Sequence, residues 1–148
     1  MNKLPQIVID TCVLISALLS RRGASFNLLK RLGTGEFEIN LSAPLCFEYE
    51  SIAKRITIEK QLQLTEKDIE ELVEIMIQSA NLWEIYFLTR PFLPDPNDEF
   101  LLELAFHANC DFIVTHNLKD FRGVKDSFGI EVVTPGQFVP FLDRKNQE

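Results

Sequence analysis

The chain has 148 residues, 46% hydrophobic and 25% charged, which suits one domain with a core that needs neither disulfides nor a structural metal and excludes a disordered or fibrous chain. Its net charge of -7 argues against a broad electrostatic grip on nucleic acid, although carboxylates clustered around a divalent ion would place such a charge inside a site. No apolar run approaches the roughly 18 residues of a membrane span, and MNKLPQIVID meets an acid too early for a signal peptide, so a single cytoplasmic domain over 1–148 is expected.

The opening LPQIVID is dense in β-branched residues and reads as a central buried strand ending at Asp10. From Thr11 the apolar residues Val13, Leu14 and Leu18 follow helical spacing until Arg21, Arg22 and Gly23 stop the run. A second helix is expected over 25–32, broken by Gly33 and Gly35 before a short strand, FEINL. Pro44 suits the first turn of a helix running through LCFEYESIAKRI, and Thr65 with Asp68 resembles a capping box opening EKDIEELVEIMIQSA. LWEIYFL reads as a third strand and TRPFLPDPN as an ordered loop. A helix over 97–109, the strand DFIVT, the polar turn HNLKD, a strand near IEVV and a short helix after Pro135 complete the chain. This alternation implies an α/β domain, a parallel sheet covered on both faces, whose site lies beyond the carboxyl ends of the strands. If the strands ending at Asp10 and Thr115 are neighbours, the acids that follow them converge.

Asp10 is the sharpest single signal, because a carboxylate at the mouth of an apolar strand must be paired, capping or bound to something. Capping the helix from Thr11 is the plain alternative. In the helix after Pro44 the stripe Leu45, Tyr49, Ile52, Ala53 and Ile56 faces inward; Glu48 lies about 80° from its centre and can lean toward a site, whereas Glu50, at about 120°, pairs more naturally with Lys54 in solvent. Asp95, Pro96 and Asp98 look like a cap, a first-turn proline and an inner acid. Asp98 shares its face with Leu101, Leu102 and Ala105 and is therefore favoured over Asp95 as a ligand. In the turn after DFIVT, Asp120 offers a carboxylate and Asn117 a neutral oxygen. His116, without a triad partner at recognisable spacing, reads as a rim residue. Cys12, Cys46 and Cys110 form no metal spacing and read as reduced core thiols. Acids drawn from several elements without a Cys/His cluster suit Mg²⁺ or Mn²⁺ and metal-assisted hydrolysis of phosphate esters.

The segments IVIDTCVLISAL, FEYESIAKR and DPNDEFLLELAFHANCDFIVTHNLKDF occur in this order from Ile7 to Phe121. Together they resemble the PIN-domain family, especially the VapC-like ribonucleases that serve as toxins of bacterial toxin-antitoxin pairs. The resemblance implies a three-layer α/β/α sandwich with a central parallel sheet and a Mg²⁺- or Mn²⁺-dependent endoribonuclease. Asp10 matches the family's first-strand acid, Glu48 the mid-chain helix acid and Asp98 the acid opening the late helix. Many relatives carry Asp where this chain has Asn117, and others have an acid three residues on, as Asp120 is here, so Asn117 and Asp120 share the fourth position. RNA as substrate, a small antitoxin and a homodimer are the implied partners. Apolar helices over 27–32 and 69–77 offer surface for such a dimer, and Arg21, Arg22, Lys54 and Arg55 are candidate guides for RNA.

Two other functions fit the residues less well. An Asp10-nucleophile phosphatase would place a second acid two positions later, where Cys12 stands. A non-catalytic interaction domain would keep the fold without needing all four acids.

Overall fold

The structure is a computed structural model that describes residues 3–85 and 91–148. Its centre is a five-stranded, fully parallel sheet: β1 (Gln6–Ile9), β2 (Glu38–Ser42), β3 (Ala80–Trp83), β4 (Phe112–Val114) and β5 (Glu131–Val133), in the spatial order β3-β2-β1-β4-β5. The chain builds β1, β2 and β3 outward in one direction and then returns to the other side of β1 for β4 and β5. The order therefore reverses between β1 and β4, and a crevice opens beyond their carboxyl ends.

The helices are α1 (Thr11–Leu19), α2 (Ala24–Lys30), α3 (Ala43–Glu59), α4 (Glu66–Gln78), α5 (Pro96–His107), α6 (Val124–Phe128) and α7 (Pro135–Asn146), with a 3-10 turn at Leu118–Phe121. One layer is continuous: α1 packs on α2 and α3, α3 on α4, and α2 on α7. α5 lies against β1, β2 and β4, completing an α/β/α sandwich. Ile7, Val8, Ile9, Leu41, Ile113 and Val114 fill the middle of the sheet almost without exposure. Among the described residues no helix is long and apolar enough to cross a membrane.

Local chemistry sets the element ends. Ser42 caps α3 by accepting from the Leu45 amide, and Pro44 occupies its first turn. Thr65 and Asp68 form the expected reciprocal box on α4. β3 begins earlier than the run LWEIYFL indicates, and residues 86–88 of that run lie outside the described part, as do residues 89 and 90 of the proline-rich loop. α6, five residues between Gly123 and Gly129, is too short to leave a periodic apolar signal.

An amide ladder crosses one side of the sheet. Gln6 Oε1 accepts from Asn40 Nδ2 and Asn81 Nδ2, each at 3.2 Å, while Asn40 also donates to the Ile7 carbonyl and accepts from Trp83 Nε1 at 2.8 Å. Asn40 is fully buried, so these partners satisfy groups that water does not reach.

Candidate active site

β1 and β4 pair directly, with Ile9 opposite Val114, so the residues that follow them meet. Asp10 is the N-cap residue of α1, yet its side chain makes no capping bond. Its Oδ2 instead accepts from Thr115 Oγ1 at 2.8 Å, across the reversal in strand order. Helix capping therefore does not account for this carboxylate. Thr115 is fully buried and its Oγ1 also accepts from the Asn117 amide at 3.0 Å, which ties the turn after β4 to the end of β1.

α3 brings Glu48 in from the other side. Leu45, Tyr49 and Ala53 are buried along its inner face and Glu48 is half-buried beside them, as the helical angles require. Glu48 Oε2 accepts from Thr11 Oγ1 at 2.5 Å, while the Tyr49 hydroxyl donates to the Ile9 carbonyl. Glu48 and Asn97 line one narrow cleft of about 140 Å³. Glu50 holds Lys54 at 2.8 Å.

At the start of α5 the two acids separate in role. Asp95 is exposed and accepts from the Asn97 amide at 2.8 Å, a plain cap. Asp98 is half-buried on the face of Leu101, Leu102 and Ala105, and its carboxyl is pushed up to about 6, first by burial and then by the charges of Asp10, Asp95, Asp120 and Glu48. A single residue thus feels four other carboxylates, from the residue after β1, from α3, from the cap of α5 and from the 3-10 turn. Asp98 and Asp120 line a second cleft, of about 420 Å³.

Asn117 is exposed just before that turn. His116 stands at the rim, with Nε2 at 2.8 Å from Ser25 Oγ on α2. The cysteines are free; Cys110 is buried and Cys12 and Cys46 are half-buried. Cys12 has its thiol pushed up by burial and by Asp10, and it puts a thiol where phosphatase chemistry of the Asp-nucleophile kind has a second carboxylate.

Among the described residues no three His, Cys, Asp or Glu side chains are already gathered closely enough to enclose an ion. The donor set, all oxygen and drawn from rigid elements, nevertheless fits a hard cation.

Several contributors leave little trace in the sequence. Glu99 is 4% exposed, and its carboxylate accepts from the amides of Phe92, at 3.1 Å, and Leu93, at 2.7 Å. It anchors the segment leading into α5. Of the candidate guides, Lys54 is held by Glu50 and by Glu70 at 2.9 Å, and Arg55 faces Glu59 at 3.7 Å. Arg21 and Arg22 are exposed between α1 and α2. Lys119 and Arg122, not singled out in the sequence, line the same cleft as Asp98.

Another cavity, of about 760 Å³, opens at the opposite ends of the strands. Its acids are already engaged, Glu38 and Asp111 by Gln6 and Glu131 by Lys125, and it offers no competing constellation.

A family model described as PIN domain matches residues 6–119. A chain of the crystal structure of VapBC2 from Rickettsia felis, bound to a DNA fragment from their promoter, is similar with a TM-score of 0.53 and 13% identity, covering 87% of this chain and 98% of that one. At this identity the likeness speaks to the fold. No curated protein matches the chain.

Proposed function

The chain belongs to the PIN-domain family, and on that premise we propose that it is a Mg²⁺- or Mn²⁺-dependent endoribonuclease that prefers single-stranded RNA and acts as the toxin of a toxin-antitoxin pair. The observation that carries this reading is the convergence of acids beyond the paired ends of β1 and β4, where Thr115 holds Asp10 and where Asp98 is pushed up to about 6, first by burial and then by the charges of Asp10, Asp95, Asp120 and Glu48. Such a concentration of negative charge is costly without a cation and useful with one.

Asp10, Glu48, Asp98 and Asp120 would hold the ion, with Asn117 as a neutral oxygen beside them. When bound, the ion supplies a lowered pKa for water and offsets charge on the phosphodiester. The rest falls to the chain itself. Thr115 orients the Asp10 carboxylate, Thr11 orients Glu48, and Tyr49 fixes the helix that carries Glu48 against the strand end that carries Asp10.

Digestion of single-stranded and structured RNA with Mg²⁺, Mn²⁺ or EDTA, with Asp10→Asn alongside, tests the activity. Cleavage that survives EDTA, or that Asp10→Asn leaves intact, contradicts it. Failure of Mn²⁺ to bind at millimolar concentration would favour a non-catalytic interaction domain.

The similar structure is that of a VapBC2 pair on promoter DNA, and by analogy a small antitoxin is proposed here, placing an arginine fork on the acidic crevice. A complex whose partner inhibits fully while lying far from Asp10 and Asp98 would refute that mode. A homodimer is also proposed. Leu28, Ile69, Val73 and Met76 are spent inside the chain, whereas Phe47, Ile75 and Leu82 are more than half exposed, so the dimer surface would draw on the latter. Light scattering giving a 17.0 kDa particle at tens of micromolar would remove it.

A further inference from the structure

The cleft that Asp98 and Asp120 share carries a second chemistry on its remaining wall. Phe92, Pro94, Lys119 and Arg122 line it as well. Lys119 and Arg122 are exposed and, among the described residues, make no ion pair, even though Asp95, Asp98 and Asp120 line the same cleft. Other exposed cations, such as Arg21, Arg22 and Lys67, also make no ion pair among the described residues; what sets Lys119 and Arg122 apart is that they share one cleft with Asp98, Asp120 and the Phe92 ring. Two free cations beside a carboxylate cluster make a surface with one side for a metal and the other for a phosphate.

Phe92 adds an aromatic face. Its ring is 40% exposed and stands edge-on to Phe128, centroids 5.1 Å apart. Its amide and that of Leu93 are held by the buried Glu99 carboxylate. Behind the ring lies Gly123, in the left-handed region at φ 83; a Cβ there would sit 3.2 Å from Phe92 Cζ. Glycine thus allows the close approach that sets the ring beside the turn bearing Arg122. The ring is braced from behind and open in front.

We propose that this cleft is the nucleotide subsite next to the scissile phosphate, with Lys119 and Arg122 holding an RNA phosphate and Phe92 stacking one unpaired base. The proposal rests on the reading of the chain as a ribonuclease and deepens it. Base stacking on one exposed ring requires a base free of its neighbours, which gives single-strand preference a physical source. It also explains how an acidic chain grips RNA, since contact is confined to two cations rather than spread over a basic face.

The test separates binding from cleavage. Adenosine 5′-monophosphate is titrated into the protein in EDTA, read by backbone amide shifts, and compared with inorganic phosphate. Shifts are expected at Phe92, Leu93 and 118–122. Lys119→Ala and Arg122→Ala should each weaken both ligands by about fivefold or more, and Phe92→Leu should weaken the nucleotide while leaving phosphate unchanged. Lys67→Ala, on the solvent side of α4, serves as the control. With a single-stranded oligomer, each cation removed should lower the slope of log affinity against log salt by about 0.7. Shifts that map to Arg21 and Arg22, or a Lys119→Ala/Arg122→Ala pair that binds as the parent does, would overturn the subsite. RNA that is cut normally by that double variant would overturn it while sparing the ribonuclease reading; nucleotide bound as described by a protein that cuts no RNA with any metal would do the reverse.

Discussion

Tyr49, fully buried on α3, donates its hydroxyl hydrogen to the carbonyl of Ile9, the last residue of β1 and the one before Asp10. Because Glu48 precedes Tyr49, this bond sets two proposed ligands from distant parts of the chain in a fixed relation. Burial and the surrounding acids push the phenol well above its ordinary pKa, so it remains a donor throughout the accessible pH range.

Tyr49→Phe keeps the ring and deletes the donor, leaving the Ile9 carbonyl without that partner. A stability loss of about 1–2 kcal/mol is expected. Urea unfolding should show a lower midpoint at unchanged slope, and Mn²⁺ affinity should fall by several-fold. An unchanged midpoint would show that the bond contributes nothing.

Thr115→Val removes the donor to Asp10 and the acceptor of the Asn117 amide while preserving shape. Mn²⁺ affinity should drop about 10- to 100-fold, the scale of ligand-orienting contacts. Thr115→Ser should restore most of it. If serine rescues no better than valine, the methyl packing matters and the hydroxyl does not.

Asp98→Asn and Asp95→Asn divide metal binding from capping. The first should lower Mn²⁺ affinity and cleavage together by at least tenfold, and the second should leave both within a few-fold while costing about 1 kcal/mol or less. Similar behaviour of the pair would reverse the assignment. pH supplies an independent reading. The Asp98 carboxyl titrates near 6 in the fold against an ordinary 3.8, so the folded state holds this proton more tightly than the unfolded chain. In metal-free protein its contribution to stability therefore rises as pH falls from above 6 toward 3.8, and Asp98→Asn should remove that component from the stability curve.

Glu99→Gln replaces an acceptor of two backbone amides by a group that can turn a donor toward them. A cost of about 1–3 kcal/mol is expected. Amide hydrogen exchange at Phe92 and Leu93 should accelerate before any change in the sheet. Uniform acceleration across β1 and β4 would mean that Glu99 supports the whole core rather than this segment.

The sequence reveals those parts of the site that obey periodicity. A solid apolar run places Asp10 at a strand end, and helical angles separate Glu48 from Glu50 and Asp98 from Asp95. It conceals what depends on spatial neighbours. Thr115 reaches Asp10 across 105 positions, and nothing in DFIVT marks its hydroxyl until β1 and β4 are known to pair. Glu99 reads as an ordinary first-turn acid because its partners are backbone amides, which every residue carries. Lys119 and Arg122 look like ordinary turn cations in the sequence, because only the packing of the turn after β4 against the segment before α5 brings them into the cleft of Asp98. β3 starts earlier than its apolar run because hydrogen bonds, rather than hydrophobicity, place it: Leu82 is 62% and Trp83 38% exposed.

The amide ladder through Gln6, Asn40 and Asn81 bears on how the sheet avoids misassembly. A strand that slips by one residue turns its apolar face outward and is rejected by burial, but a slip of two preserves the alternation and escapes that check. For β3, with little apolar area to bury, the two-residue error is the dangerous one. Such a slip would carry Asn81 away from Gln6 and Trp83 away from Asn40, taking from the fully buried Asn40 the donor that meets its side-chain oxygen. Hydrogen-bond matching thereby proofreads the alignment to which hydrophobic patterning is blind.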